Sequence, residues 1–227
     1  MPEHAPPGSV RRPGLLGWIA LLPGVLLGFC LGAWILAIAL EWLGEAFLWQ
    51  NTCASHSEQV LQATWQCWRV SAGAPVWLVE DLAIVSDTLQ QGIAMLVHSL
   101  NGQSGLFWTE NVTTVIRCAL LSAGNVTPTF LLRLAILLQA LPLFALIIVV
   151  GLIDGLVRRD LRRFGAGHES GFVYYHARRM ISSSLIATGL AWLAIPVFFE
   201  PEFVLAPGAV VIGLISSLAF SAFKKYL

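Results

Sequence analysis

Four runs of about twenty apolar residues constrain this chain more than any other feature: residues 15–40, 134–153, 181–199 and 204–223 contain no Asp, Glu, Lys, Arg or His. A bilayer core about 30 Å thick takes roughly 20 helical residues to cross. Backbone N–H and C=O groups facing lipid must be satisfied within the span itself, so such runs are helices. The chain is 57% hydrophobic and only 11% charged, with a mean hydropathy of +0.75, whereas soluble domains carry about 25% charged residues. The sequence therefore predicts an all-α integral membrane protein with four transmembrane helices.

Charge chooses the orientation. Formal net charge is zero, with 13 basic and 13 acidic residues, but the basic residues are clustered. Arg11 and Arg12 precede the first run, Arg158, Arg159, Arg162, Arg163, Arg178 and Arg179 lie between the second and third, and Lys224 and Lys225 follow the fourth. By the positive-inside rule these segments are cytoplasmic, as are both termini. The other segments carry Glu41, Glu45, Glu58, Glu80, Asp81, Asp87, Glu110, Glu200 and Glu202 against Arg69, Arg117 and Arg133. Arg133 stands at a span boundary, where its stem can snorkel to the interface.

The predicted organisation is a disordered cytoplasmic tail (1–13), a first transmembrane helix (14–40) and an extracytoplasmic helical domain (41–130). A second span (131–153), an arginine-rich cytoplasmic hairpin (154–180), a third span (181–199), a short outer turn (200–203), a fourth span (204–223) and a cytoplasmic tail (224–227) follow. Ala37-Ile38-Ala39 offers a signal-cleavage pattern. The first run is longer than a signal core of about 7–15 residues, so it reads as an uncleaved anchor.

Within 41–130 the apolar spacing is helical. Leu78, Leu82, Val85, Leu89, Ile93, Leu96 and Leu100 recur every three or four residues, which puts one stripe on a helix. Leu61, Trp65 and Trp68 predict a shorter helix before it, Asn101-Gly102 a break after it, and Val112, Ile116, Ala119 and Leu120 a third helix. Trp42, Trp49, Trp65, Trp68, Trp77 and Trp108 fall in the same segment, and indoles favour the headgroup layer. Cys53, Cys67 and Cys118 share this oxidising side. One disulfide among them is plausible and three pairings are open; Cys53 with Cys67 is the first choice, because that loop is local. The spacing suggests no metal or redox site.

Small residues recur at four-residue spacing as Gly24, Gly28 and Gly32 in the first span, Ala209, Gly213 and Ser217 in the fourth, and Ser183, Ala187 and Ala191 in the third. Such ridges let helix backbones approach closely, within the chain or in an oligomer. Pro142 and Gln139 interrupt the second span, as a small transporter or channel would require. Ion-coupled transporters place ionisable groups at the midplane, and these spans have none, so transport ranks below a scaffold role.

The basic hairpin admits several contacts. Asp154 and Arg158 form an i,i+4 pair in the favourable order. Attraction to an anionic inner leaflet is worth about 1 kcal/mol per basic residue, and docking to an acidic or nucleotide-handling protein is the sharper alternative. Direct DNA binding is not expected, for no binding fold accompanies the charge. Gly165, Gly167, Glu169 and Gly171 make a turn between two helices. His168 and Glu169 lack a cleft and a nucleophile, and no phosphate-binding, zinc or serine-elbow motif occurs elsewhere, so the chain reads as non-catalytic and without cofactor.

The segment 154–179, DGLVRRDLRRFGAGHESGFVYYHARR, read with its flanking spans, resembles the integrating conjugative element membrane proteins, a bacterial family sharing the domain of unknown function numbered 4400. The resemblance implies an inner-membrane component of a conjugative, type IV secretion-like module near the coupling-protein ATPase. It implies no mechanism. An immunity or exclusion protein acting in recipient cells is the further alternative.

Overall fold

The computed structural model describes residues 15–49, 53–70, 76–103, 110–164 and 171–222, and every regular element among them is an α-helix. In chain order these are α1 (Leu15–Phe47), α2 (Ser55–Val70), α3 (Val76–Gln103), α4 (Glu110–Phe164), α5 (Gly171–Ala194) and α6 (Pro201–Ser221). Three are long and apolar enough to cross a membrane, over Leu21–Phe47, Val112–Leu161 and Pro201–Ser221. The tail 1–13 and the turn residues Gly165, Gly167 and Glu169 lie outside the described residues, while Gly171 opens α5.

The spine is α4. Its 55 residues span about 80 Å at 1.5 Å per residue, far more than a bilayer core needs. The helix predicted around Val112 to Leu120 is not separate but forms the first part of α4, so the boundary drawn at 130 falls inside one helix. That helix runs through Pro128 and Pro142. Pro128 cannot donate to the carbonyl of residue 124, yet Thr127 and Thr129 hydroxyls bond the Ala123 and Asn125 carbonyls on either side of that gap, both at 2.8 Å.

Every other helix packs on α4. One core joins Ala33, Phe130, Phe144, Trp192, Leu193, Leu205, Ala209 and Ile212 of α1, α4, α5 and α6. A second joins Leu61 and Trp68 of α2 to Leu132 and Ala135 of α4, with Leu78 and Leu82 of α3 against it. Farther along, Ile93 of α3 covers Gly124, so α3 runs back along α4 in the opposite direction. The buried face of α3 is rotated from the predicted stripe: Ser86 and Val97 are buried, whereas Val85 and Leu96 are exposed. Asn101-Gly102 does not end α3, which reaches Gln103.

Prolines determine the α5–α6 corner. Pro196 lacks an amide hydrogen and disfavours helical geometry at the residue before it, and α5 stops at Ala194 rather than at 199. Pro201 then opens α6, preceded by Glu200 in extended geometry (φ −61°, ψ 137°). The turn is therefore 195–200, not 200–203.

Arg133 does not snorkel. It is buried, and its guanidinium donates to the carbonyls of Trp192 (3.4 Å), Ile195 and Val197 (2.8 Å) while the Trp192 indole donates to the Arg133 carbonyl (2.9 Å). The reason is the unpaired carbonyls at the end of α5: they attract a cation more strongly than the interface does.

The disulfide also differs from expectation. Cys53 pairs with Cys118, 65 residues away, and Cys67 lies outside the bond. Tertiary proximity wins over loop length, because α4 carries Cys118 back alongside the α1–α2 turn. A polar knot surrounds the staple. Glu45 Oε1 accepts from the Ala54 amide (3.1 Å) and Ser122 Oγ (2.5 Å), Asn125 donates to Ser57 Oγ (3.2 Å), and Glu41 meets His56 Nδ1 at 3.0 Å. Trp49 stacks on His56 with centroids 3.6 Å apart. Cys53 and Ala54 both take positive φ, 36° and 69°, a left-handed geometry that non-glycine residues adopt only when held; here the staple and Glu45 hold it.

Candidate functional site

The three predicted small-residue ridges part company. Among the described residues nothing lies within 4 Å of where a Cβ on Gly24, Gly28 or Gly32 would stand, so the α1 ridge packs against none of the described helices. α1 instead turns Ala33, Ala37 and Glu41 inward. Ser183 and Ala187 of the α5 ridge are likewise exposed. The α6 ridge is packed. Ala209, Ser217 and their neighbour Ile212 are buried, and a Cβ on Gly213 would sit 2.7 Å from Ile147 Cγ2.

The partners of that ridge are Gly151 and Gly155 of α4. A Cβ on Gly151 would stand 2.6 Å from the Gly213 carbonyl oxygen, and one on Gly155 would stand 2.6 Å from that of Ser217 and 2.8 Å from Phe220 Cβ. Backbones meet at distances only glycine permits. The sequence reading missed this pair, although its own four-residue spacing is the signal that marks it.

This crossing positions the first arginine. Asp154 lies between the two glycines and its Oδ2 accepts from Ser217 Oγ at 2.5 Å and from Arg158 Nε at 2.9 Å. One carboxylate oxygen thus ties the arginine segment to α6. The i,i+4 pair read from the sequence is present, with a hydroxyl from another helix added to it.

Past Gly155, which abuts Phe220 and Ser221 near the end of α6, α4 continues to Phe164. Leu156, Val157, Leu161 and Phe164 are exposed there, Phe164 at 92%. Val157, Leu161 and Phe164 are spaced by four and three, a single helical stripe, and Arg158–Arg162 and Arg159–Arg163 make basic rows beside it. Arg158 is 59% exposed and Arg159 partly so, while Arg179 is exposed on α5. The side chains of Arg162, Arg163 and Arg178 lie outside the described residues. The terminal turns of α4 therefore combine an exposed apolar stripe with arginines at helical spacing in the sequence. That surface suits an anionic membrane or an acidic, partly apolar protein face.

A helical bundle with three helices able to cross a membrane, built on a close α4–α6 crossing that ends in a basic helix, defines the class: an all-α protein compatible with membrane insertion. Residues 36–224 match the family described as IncC plasmid conjugative DNA transfer protein DtrJ-like, and the chain belongs to that family. Comparison with curated proteins and with solved structures gives no match. The family assigns the chain to conjugative DNA transfer, which supports the conjugative part of the resemblance read from 154–179. The matched region also takes in α2, α3 and the polar knot, where the resemblance read from 154–179 rested on no particular residue.

Proposed function

We propose that this protein is a non-catalytic inner-membrane accessory of a conjugative, type IV secretion-like DNA-transfer apparatus carried by a plasmid or an integrating element. In this reading four helices cross the membrane, with α5 as the fourth crossing, and both termini are cytoplasmic. The α2–α3 pair and the first half of α4 form the extracytoplasmic part. The basic end of α4 is the cytoplasmic contact surface for the coupling-protein ATPase or another component of the channel, with anionic inner-leaflet lipid as its resting partner.

The observation that carries the reading is the continuation of α4 beyond α6, where exposed Val157, Leu161 and Phe164 run beside the arginine rows. A helix end needed only to finish a span would not need a second apolar stripe next to four arginines. Arg158 is bonded to Asp154, and the proposed contact takes in Arg159, Arg162 and Arg163 as well.

Converting Arg158, Arg159, Arg162 and Arg163 to Gln tests this in a donor cell. The expected result is a reduced transfer frequency at normal abundance and topology. Wild-type transfer from a correctly inserted variant refutes the contact surface.

A further inference from the structure

A cavity of about 710 Å³ opens between α2, α4 and the α5–α6 corner, a volume within the range of about 300–1,000 Å³ typical of small-molecule sites. Its floor is apolar, with Ile136, Phe198 and Leu205, and its polar groups are few and of one pattern. Glu200 and Glu202 stand at the corner and both are exposed. Gln66 of α2 and Gln139 of α4 line it as well. Trp68, also in the wall, is 1% exposed and closes the cavity on the α2 side.

We infer that this cavity binds a phosphatidylethanolamine molecule from the outer leaflet. Two carboxylates at the mouth complement an ammonium group. The amides of Gln66 and Gln139 complement phosphate and ester oxygens. The apolar floor takes the start of an acyl chain. Phosphatidylglycerol lacks the cation and would face the carboxylates with a bare phosphate. Phosphatidylcholine carries a cation but no N–H to donate. The placement agrees: Gln139 belongs to the predicted second span, and Glu200, Glu202 and α2 belong to its outer side. The site depends on the topology proposed above only for the choice of leaflet.

Cys67 also lines the cavity and serves as a reporter once Cys30 is replaced by Ser, since Cys53 and Cys118 are paired. The purified full chain is placed in nanodiscs of phosphatidylglycerol mixed with either phosphatidylethanolamine or phosphatidylcholine, and the rate of maleimide addition to Cys67 is measured. A charge-assisted contact predicts labelling about tenfold slower with phosphatidylethanolamine. E200Q/E202Q, at two exposed positions, is expected to abolish that difference with the melting temperature retained.

Equal rates in the two lipids overturn the proposal. So does a phosphatidylethanolamine effect that survives in E200Q/E202Q, or protection of Cys67 that appears only when other transfer proteins are co-expressed, which would make the occupant a protein. Topology fails separately. A membrane-impermeant maleimide that reaches Cys67 only after the inner membrane is ruptured would overturn the orientation and leave the nanodisc result standing.

Discussion

Replacing Arg133 with Met tests the most heavily used side chain of the bundle. Met keeps much of the apolar stem that lies against Trp192, whose ring centroid is 5.6 Å from the guanidinium carbon, but removes every donor. The carbonyls of Ile195 and Val197 lose a charged partner, and the longer contact to Trp192 O goes with them. Hydrogen bonds to a charged group contribute about 1.5–3 kcal/mol each. Part of that is offset, because the variant no longer buries a charge. The expected net loss is about 3 kcal/mol, and for a chain of this size that corresponds to a melting temperature lower by roughly 6–12 °C. Arg133→Lys should fall between the two, since a single ammonium cannot span carbonyls that a planar guanidinium fork reaches together. Thermal melting in mild detergent, followed by tryptophan fluorescence, reads both. An Arg133→Met variant that melts within about 2 °C of the parent would show that the α5 carbonyls do not need this cation.

Other expectations follow from the same contacts. Gly151→Val and Gly155→Val should each force α4 and α6 apart and cost at least about 1–3 kcal/mol, seen as lower melting temperature and accumulation; unaltered melting would refute the close crossing. Gly28→Leu should leave the isolated chain unchanged, since none of the described residues lies within 4 Å of a Cβ there, and a fall in its own stability would contradict the packing described. Loss of complex formation at unchanged stability would instead mark the α1 face as a contact with another chain. Cys53→Ser or Cys118→Ser should each remove about 4 kcal/mol by the loop-entropy relation for a separation of 65 residues, whereas Cys67→Ser should not. Non-reducing peptide mapping that found Cys53 joined to Cys67 would overturn the assignment.

The legible part of this protein was periodic or local. Apolar runs of span length identified the three long membrane-compatible helices, and the three-and-four spacing around Leu61 and Leu82 located α2 and α3. The Asp154–Arg158 pair needed only one helical turn. Element ends were less legible: the third run was carried to 199 because it holds no charge, whereas Pro196 follows the end of α5 at Ala194 and Pro201 opens α6. Pro128 does not end α4, since a buried proline can sit inside a helix whose neighbours hold it.

The candidate site was half visible. Its arginines and the α6 ridge stand out as patterns, but which ridge meets which helix is a question about two distant segments. Gly24, Gly28 and Gly32 have the same spacing as Ala209, Gly213 and Ser217, and only the fold sets the second group against Gly151 and Gly155 while leaving the first on an open face.

By itself, then, the sequence determined the helical class, the run of charges along the chain and the amphipathic faces, because these depend on residues a few positions apart. Only the tertiary structure decided the Cys53–Cys118 staple, the burial of Arg133 over the end of α5, the Asp154–Ser217 tie and the cavity beneath Glu200. Each joins residues about 60 or more positions apart, or groups on three different elements. Such contacts depend on how the helices pack, which no local pattern records.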